Sequence, residues 1–207
     1  VRLAWLKPGL YETQVEALFD AVQDRISAGG QPIVEIMIPL TVSAKELAGA
    51  REWIESVVRR RPEATSVKIG TMVETPRAAL LADDLAHHAD FFSFGTNDLT
   101  QLTFGFSRDD IENRIMNLYL EQELLEANPF QHVDPNAVIE LVRTGIERGR
   151  STKPDLPVGI CGEHGGDPAS IELLAAAGVD YVSCSPPRLP IARLAAAHIA
   201  IKARRSH

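Results

Sequence analysis

Two carboxylates, Glu74 and Asp98, follow successive apolar segments at residues 67–73 and 91–94. Acids at the ends of neighbouring strands can share a hard cation. Mg²⁺ usually takes one or two carboxylates and leaves the rest of its shell to water and substrate. Asp98 could equally cap the next helix, with Glu74 left in solvent. Gly95-Thr96-Asn97, just ahead of Asp98, could turn backbone N–H groups toward an anion or be a plain strand-to-helix turn. Arg108 lies one loop further on. Its guanidinium could clamp a phosphate or carboxylate at two points, or pair with Asp109 or Asp110 at the surface. Cys161 is followed by Glu163 and His164, so its thiol could carry a shifted pKa and move protons, or be a buried structural group. Cys184 has fewer titratable neighbours and reads as structural. Gly165-Gly166 allow close backbone approach to a ligand, or a tight turn. His87-His88 read as an exposed helix end with no role.

These groups need elements to hold them. Residues 12–28 predict a helix, with Val15, Leu18, Phe19, Val22 and Ile26 at helical spacing and Gly29-Gly30 as its stop. Residues 33–38 are a short apolar run ending at Pro39, which suits a buried strand. Ser43 with Glu46 is a capping box that opens a helix carrying Leu47, Ala50, Ile54 and Val57. That helix ends in Arg59-Arg60-Arg61 before Pro62. A second strand covers 67–73, and Pro76 starts a helix running to about 88. Further strands are expected at 91–94, 158–161 and 181–184, and a last helix at 191–202. Asp134-Pro135 and Asp167-Pro168 each read as an N-cap followed by proline at the first helical position.

Strands alternating with helices imply an α/β fold with a parallel sheet, its strands covered on both faces. A doubly wound sheet and a (β/α)8 barrel both satisfy the pattern. The strands also end in polar or small clusters: Glu74-Thr75-Pro76, then Gly95-Thr96-Asn97-Asp98, Cys161-Gly162-Glu163-His164 and Ser183-Cys184-Ser185-Pro186. Ligands of α/β folds bind at the carboxyl ends of strands, where loops converge on one face.

Composition narrows the class. Among 207 residues, 45% are hydrophobic and 24% charged, which fits a globular domain, and no internal boundary breaks 1–207. Twenty-one basic against 28 acidic residues give a net charge of -7, so no nucleic-acid partner is expected. No apolar run reaches the roughly 18–20 residues of a membrane helix, and Val1 to Pro8 lack the form of a signal peptide. The two cysteines are too few for a disulfide scaffold or a four-cysteine zinc site, and a reducing, cytoplasmic setting is expected.

Taken together, several segments resemble the C-terminal region of the pyruvate, phosphate dikinases. They include Gly70-Thr71-Met72-Val73-Glu74-Thr75-Pro76, Gly95-Thr96-Asn97-Asp98-Leu99-Thr100-Gln101, Phe104-Gly105-Phe106-Ser107-Arg108-Asp109-Asp110 and Cys161-Gly162-Glu163-His164-Gly165-Gly166-Asp167-Pro168. The resemblance extends over essentially the whole chain. It implies the C-terminal five βα units of a (β/α)8 barrel that binds phosphoenolpyruvate (PEP) or pyruvate, with Mg²⁺ held by Glu74 and Asp98. It also implies that Gly95, Thr96 and Asn97 lie beside the substrate, that Arg108 meets its phosphoryl group, and that Cys161 is the proton donor, tuned by Glu163 or His164. A phosphohistidine domain is implied as partner and is not found in this sequence, and the family tends to form homodimers through this region. A full barrel takes about 250 residues, so roughly three βα units would lie upstream. PEP synthase and enzyme I of the sugar phosphotransferase system share the barrel chemistry. A non-catalytic fragment serving for oligomerisation or binding is the reading from another class.

Overall fold

The structure, a computed structural model, describes residues 1–61 and 66–205, apart from the side chains of 112–114. Helices α1 (Arg2–Leu6) and α2 (Leu10–Ser27) lead to β1 (Val34–Ile38), α3 (Ala44–Val58) and β2 (Val67–Val73). Two short helices, α4 (Pro76–Leu80) and α5 (Ala82–Ala86), precede β3 (Phe92–Gly95). Then come α6 (Thr96–Phe104), α7 (Arg108–Arg114), α8 (Met116–Glu121), α9 (Val138–Thr152) and β4 (Val158–Cys161). A 3-10 turn at Glu163–Gly166, α10 (Pro168–Ala176), β5 (Tyr181–Val182), a second 3-10 turn at Pro186–Arg188 and α11 (Leu189–Arg205) complete the order.

Local signals explain several of these starts. Ser43 Oγ accepts from Glu46 N at 3.2 Å, and Glu46 reaches back to Val42 N at 2.8 Å, one residue beyond the cap itself. Thr75 and Asp167 each cap a helix that carries proline in its first turn. Asp134 instead bonds Ala137 N and Val138 N, so a turn comes first and α9 begins only at Val138. The helix expected over 76–88 is broken at Leu81. Arg148 of α9 takes up Leu80 O at the break, and Thr152 Oγ1 bonds Asp83 O in α5. In α2, Val15, Phe19 and Val22 are buried as expected, whereas Leu18 and Ile26 lie 38% and 39% exposed. Arg60 and Arg61 tie α3 to Glu16 and Asp20 on α2, and Pro62 lies outside the described residues.

All five strands are parallel in the order β1-β2-β3-β4-β5. Each strand therefore lies beside its chain neighbour, and the strand order never reverses. A doubly wound sheet reverses at its switch point, so this topology is an arc of a (β/α)8 barrel. Ile38, Ile69, Phe92, Phe94, Val158 and Ile160 are buried in the main core with the helices. Gly145 and Gly149 of α9 admit the rings of Phe94 and Phe92, where a Cβ would come within 2.8 and 2.7 Å.

The opposite face departs from the expectation of cover on both sides. On β1, Glu35 and Met37 are exposed, and Glu35 pairs with Lys68 of β2 at 3.3 Å. The strands curve toward a barrel interior that five strands do not close. At Gly70 and Gly159 this face makes room for the rings of Phe91 and Tyr181. Among the described residues no helix is long and apolar enough to cross a membrane.

Candidate functional site

Glu74 directly follows β2 and Asp98 lies in the first turn of α6, directly after β3. β2 and β3 are paired neighbours, so the two carboxyl groups are brought close enough for Asp98 to act on the Glu74 pKa. Glu74 is only 2% exposed, and its Oε1 accepts the Leu40 N–H at 2.6 Å. Leu40 has φ 51°, a left-handed conformation unusual for a residue with a side chain, and this turns its N–H inward at the end of β1. Burial pushes the Glu74 carboxyl above its ordinary range. The Leu40 N–H opposes that rise, and the charge of Asp98 adds to it. Gly95 is required here, because a Cβ would sit 2.3 Å from Glu74 Oε2. Gln101 Nε2 steadies Asp98 Oδ1 at 3.2 Å.

Cys161 ends β4, half-buried, with its Sγ 3.8 Å from the Phe94 carbonyl. Burial raises its pKa, a hydrogen bond with Ser93 works against the rise, and the negative charges of Glu74 and Asp98 reinforce it. The thiol is therefore protonated at neutral pH.

The neighbours expected to tune Cys161 are engaged elsewhere. Glu163 turns its carboxylate to Asn97 Nδ2 and to Arg108 Nη1, the latter at 3.2 Å. Burial disfavours the ionised form of Glu163, but hydrogen bonds from Asn97 and Arg108 outweigh it and hold the carboxyl below its ordinary range. His164 is fully buried, with Nδ1 2.7 Å from Thr96 Oγ1 and Nε2 2.9 Å from Pro129 O. A carbonyl only accepts, so Nε2–H donates to Pro129 and Nδ1 accepts from the Thr96 hydroxyl. Burial drives the His164 pKa below its ordinary 6.5, against the Pro129 carbonyl and the charges of Glu163 and Asp167. This histidine is a neutral strut, and Thr96, its side chain spent on the strut, has only its backbone for a ligand.

Arg108 is fixed by Glu163 and lies 5.7 Å above the Phe130 ring, while its backbone N donates to Gln101 Oε1 at 3.1 Å. A cavity of about 480 Å³ opens over Cys161, with Asn97, Glu163, Ser183, Ser185 and Arg188 on its wall. Glu74 and Asp98 do not line this cavity. They adjoin it through Cys161 and Asn97. Asn97 Oδ1 is buried without a hydrogen-bond partner among the described residues. Cys184 also reaches the wall while packing against Ile171, Ala192 and Ala195.

The carboxylate pair fits Mg²⁺. Among the described residues no group of three or more His, Cys, Asp or Glu side chains converges as a metal site. Zinc normally takes three or four protein ligands, whereas Mg²⁺ takes one or two carboxylates. Two neighbouring acids, one of them buried, are also what a divalent cation neutralises.

The sequence pattern of the PEP-utilising enzyme, PEP-binding domain, matches residues 1–201. The chain belongs to this PEP-binding family. Its relatives include pyruvate, phosphate dikinase 1, chloroplastic, of Arabidopsis thaliana, 48% identical over 97% of this chain and 21% of that protein. Pyruvate, phosphate dikinase 2 of Zea mays is 49% identical over 97% of this chain and 23% of its own length. The chain thus spans about a fifth of the length of the curated relatives it matches. Among solved structures, a citrate lyase from Burkholderia xenovorans LB400 aligns with TM-score 0.55 at 18% identity, over 86% of this chain and 53% of that one. Citrate synthase SbnG aligns with TM-score 0.51 at 14% identity, over 93% and 80% respectively. At such identity these two share only the fold with the PEP-binding domain.

Four groups of the site escaped the sequence reading: Leu40, Ser93, Gln101 and Arg188. Leu40 acts through a backbone angle and an N–H, which no residue type announces. Arg188 lies just past the flagged Ser183-Cys184-Ser185-Pro186 cluster, and the position of that cluster was its available signal.

Proposed function

We propose that this chain is the PEP/pyruvate-binding part of a pyruvate, phosphate dikinase-like phosphotransferase, acting as one unit over 1–207. The observation that carries the reading is the placement of Glu74, Asp98 and a protonated Cys161 together at the carboxyl ends of the three neighbouring strands β2, β3 and β4. In the direction from PEP to pyruvate, the imidazole of a histidine on another domain attacks phosphorus. The P–O bond to the enol oxygen breaks, a P–N bond forms, and the electron pair returns to the three-carbon unit as its enolate. Cys161 then gives its S–H proton to the methylene carbon, leaving a thiolate and pyruvate. The reverse sequence makes PEP.

The side chains divide the remaining work. Glu74 and Asp98 would hold Mg²⁺, which when bound supplies positive charge to the keto-acid oxygens. Asn97, oriented by Glu163, aligns the substrate, with the backbone of Gly95 and Thr96 alongside. Arg108 adds positive charge for the phosphoryl group from the rim. Both cysteines are free, which suits a reducing compartment such as the cytoplasm. We also take the working unit to be a homodimer.

The test follows the methyl protons. Pyruvate in D2O with Mg²⁺ is expected to exchange its methyl hydrogens when incubated with the protein, as read by proton NMR. Cys161→Ala should abolish that exchange and leave pyruvate affinity within about threefold, since the thiol moves a proton and does not anchor the acid. Undiminished exchange in the variant would remove Cys161 from the mechanism. A second reading, that the chain by itself is not a catalyst, is favoured by the unpaired outer edges of β1 and β5 among the described strands.

A further inference from the structure

The cavity over Cys161 carries a cation that the reading above does not use. Arg188 lines it, is exposed, and makes no ion pair among the described residues. Its side chain makes one hydrogen bond there, from Nη1 to the Glu163 carbonyl at 3.3 Å. The stem is seated on Gly166, where a Cβ would come within 2.3 Å of Arg188 Cδ. Glu163 therefore stands between two guanidinium groups, holding Arg108 by its carboxylate and Arg188 by its backbone. Arg108 shares its charge with that carboxylate, whereas the Arg188 side chain meets only a carbonyl among the described residues and lines the cavity. Ser183 and Ser185 add hydroxyls on the same wall. A wall with an unneutralised guanidinium and two hydroxyls suits an anion with several oxygens.

Depth decides which anion. Glu74 is buried behind the wall that Cys161 lines, so on the reading above the keto-acid end of the substrate lies at the inner end. The phosphoryl group arrives from, and leaves for, another domain, so it occupies the exposed mouth where Arg188 stands. We propose that Arg188 is a phosphoryl-binding residue that distinguishes PEP from pyruvate; this rests on the PEP/pyruvate reading given above.

Isothermal titration of the native polypeptide with PEP and, separately, with pyruvate, both with Mg²⁺, tests the assignment. Arg188→Gln keeps part of the stem and removes the charge. It is expected to weaken PEP about ten- to hundredfold, the range for loss of a charge-assisted hydrogen bond, and pyruvate by less than about threefold. Arg188→Lys should recover part of the PEP loss, because it restores the charge without the two-point geometry. Equal losses for both ligands would mean that Arg188 holds the shared carboxylate and would overturn the proposal. Unchanged PEP affinity would overturn it as well. A wild-type protein that binds neither ligand would overturn the underlying reading and the Arg188 assignment with it.

Discussion

Single residues in this site work through what their neighbours leave them. Cys161 keeps its proton because burial and two carboxylates oppose the thiolate, and His164 is denied one because burial opposes the imidazolium. The second case gives a stability prediction with a definite sign. An unfolded histidine titrates at its ordinary 6.5, and His164 in the fold titrates lower. Between those two values the unfolded chain binds the extra proton, so stability falls as pH drops below about 6.5. Glu163 and Asp167 also lose stabilisation in acid, but their folded pKa values are depressed from 4.5 and 3.8, which places their effect at lower pH. His164→Gln should cost about 1–3 kcal/mol at pH 7.5 through loss of a buried hydrogen bond. It should also flatten the decline in stability between pH 7 and 5. Urea denaturation across that range measures both, and a slope unchanged by the substitution would refute the assignment.

At the scale of elements, close packing can overrule helix propensity. Gly145 lies inside α9, where alanine is intrinsically favoured by about 1 kcal/mol. Its Cβ, however, would meet the Phe94 ring at 2.8 Å and press β3 away from the helix. Overpacking of a core contact costs about 1–3 kcal/mol. Gly145→Ala is therefore expected to destabilise by up to about 2 kcal/mol in chemical denaturation, and a gain in stability would contradict the packing account. The same logic explains why the sequence reading met the α4–α5 region only halfway. Pro76 announced the start of a helix, but Leu80 O at the break and Asp83 O beyond it find their partners in Arg148 and Thr152, about 70 residues later.

For the molecule as a whole, the open arc is the dominant fact. Among the described residues β1 and β5 each have one unpaired edge, and beside β1 Ile33 is 88% exposed. Unpaired edges and exposed apolar side chains invite pairing with other chains. The isolated 207-residue chain is expected to self-associate at tens of micromolar, as seen by sedimentation velocity. Ile33→Lys should shift that equilibrium toward monomer with a stability change within about 0.5 kcal/mol, because the site is at the surface. Unaltered association would place the contact elsewhere.

The sequence by itself determined the parallel α/β class, four of the five strands nearly to the residue, the caps at Ser43 and Asp167, the helix start at Pro76, and the set of polar strand ends. Period and capping are local properties, so they are legible in order along the chain. Periodicity left barrel arc and doubly wound sheet open; the family resemblance implied the arc, and the tertiary structure shows it in the strand order, which depends on which way each crossover folds back. Tertiary structure alone sent His164 into the core, turned Glu163 toward Arg108, and brought Leu40 N–H and the Arg188 guanidinium to the site. Those outcomes depend on the directions in which side chains and single N–H groups point, and direction is fixed only when distant segments pack together.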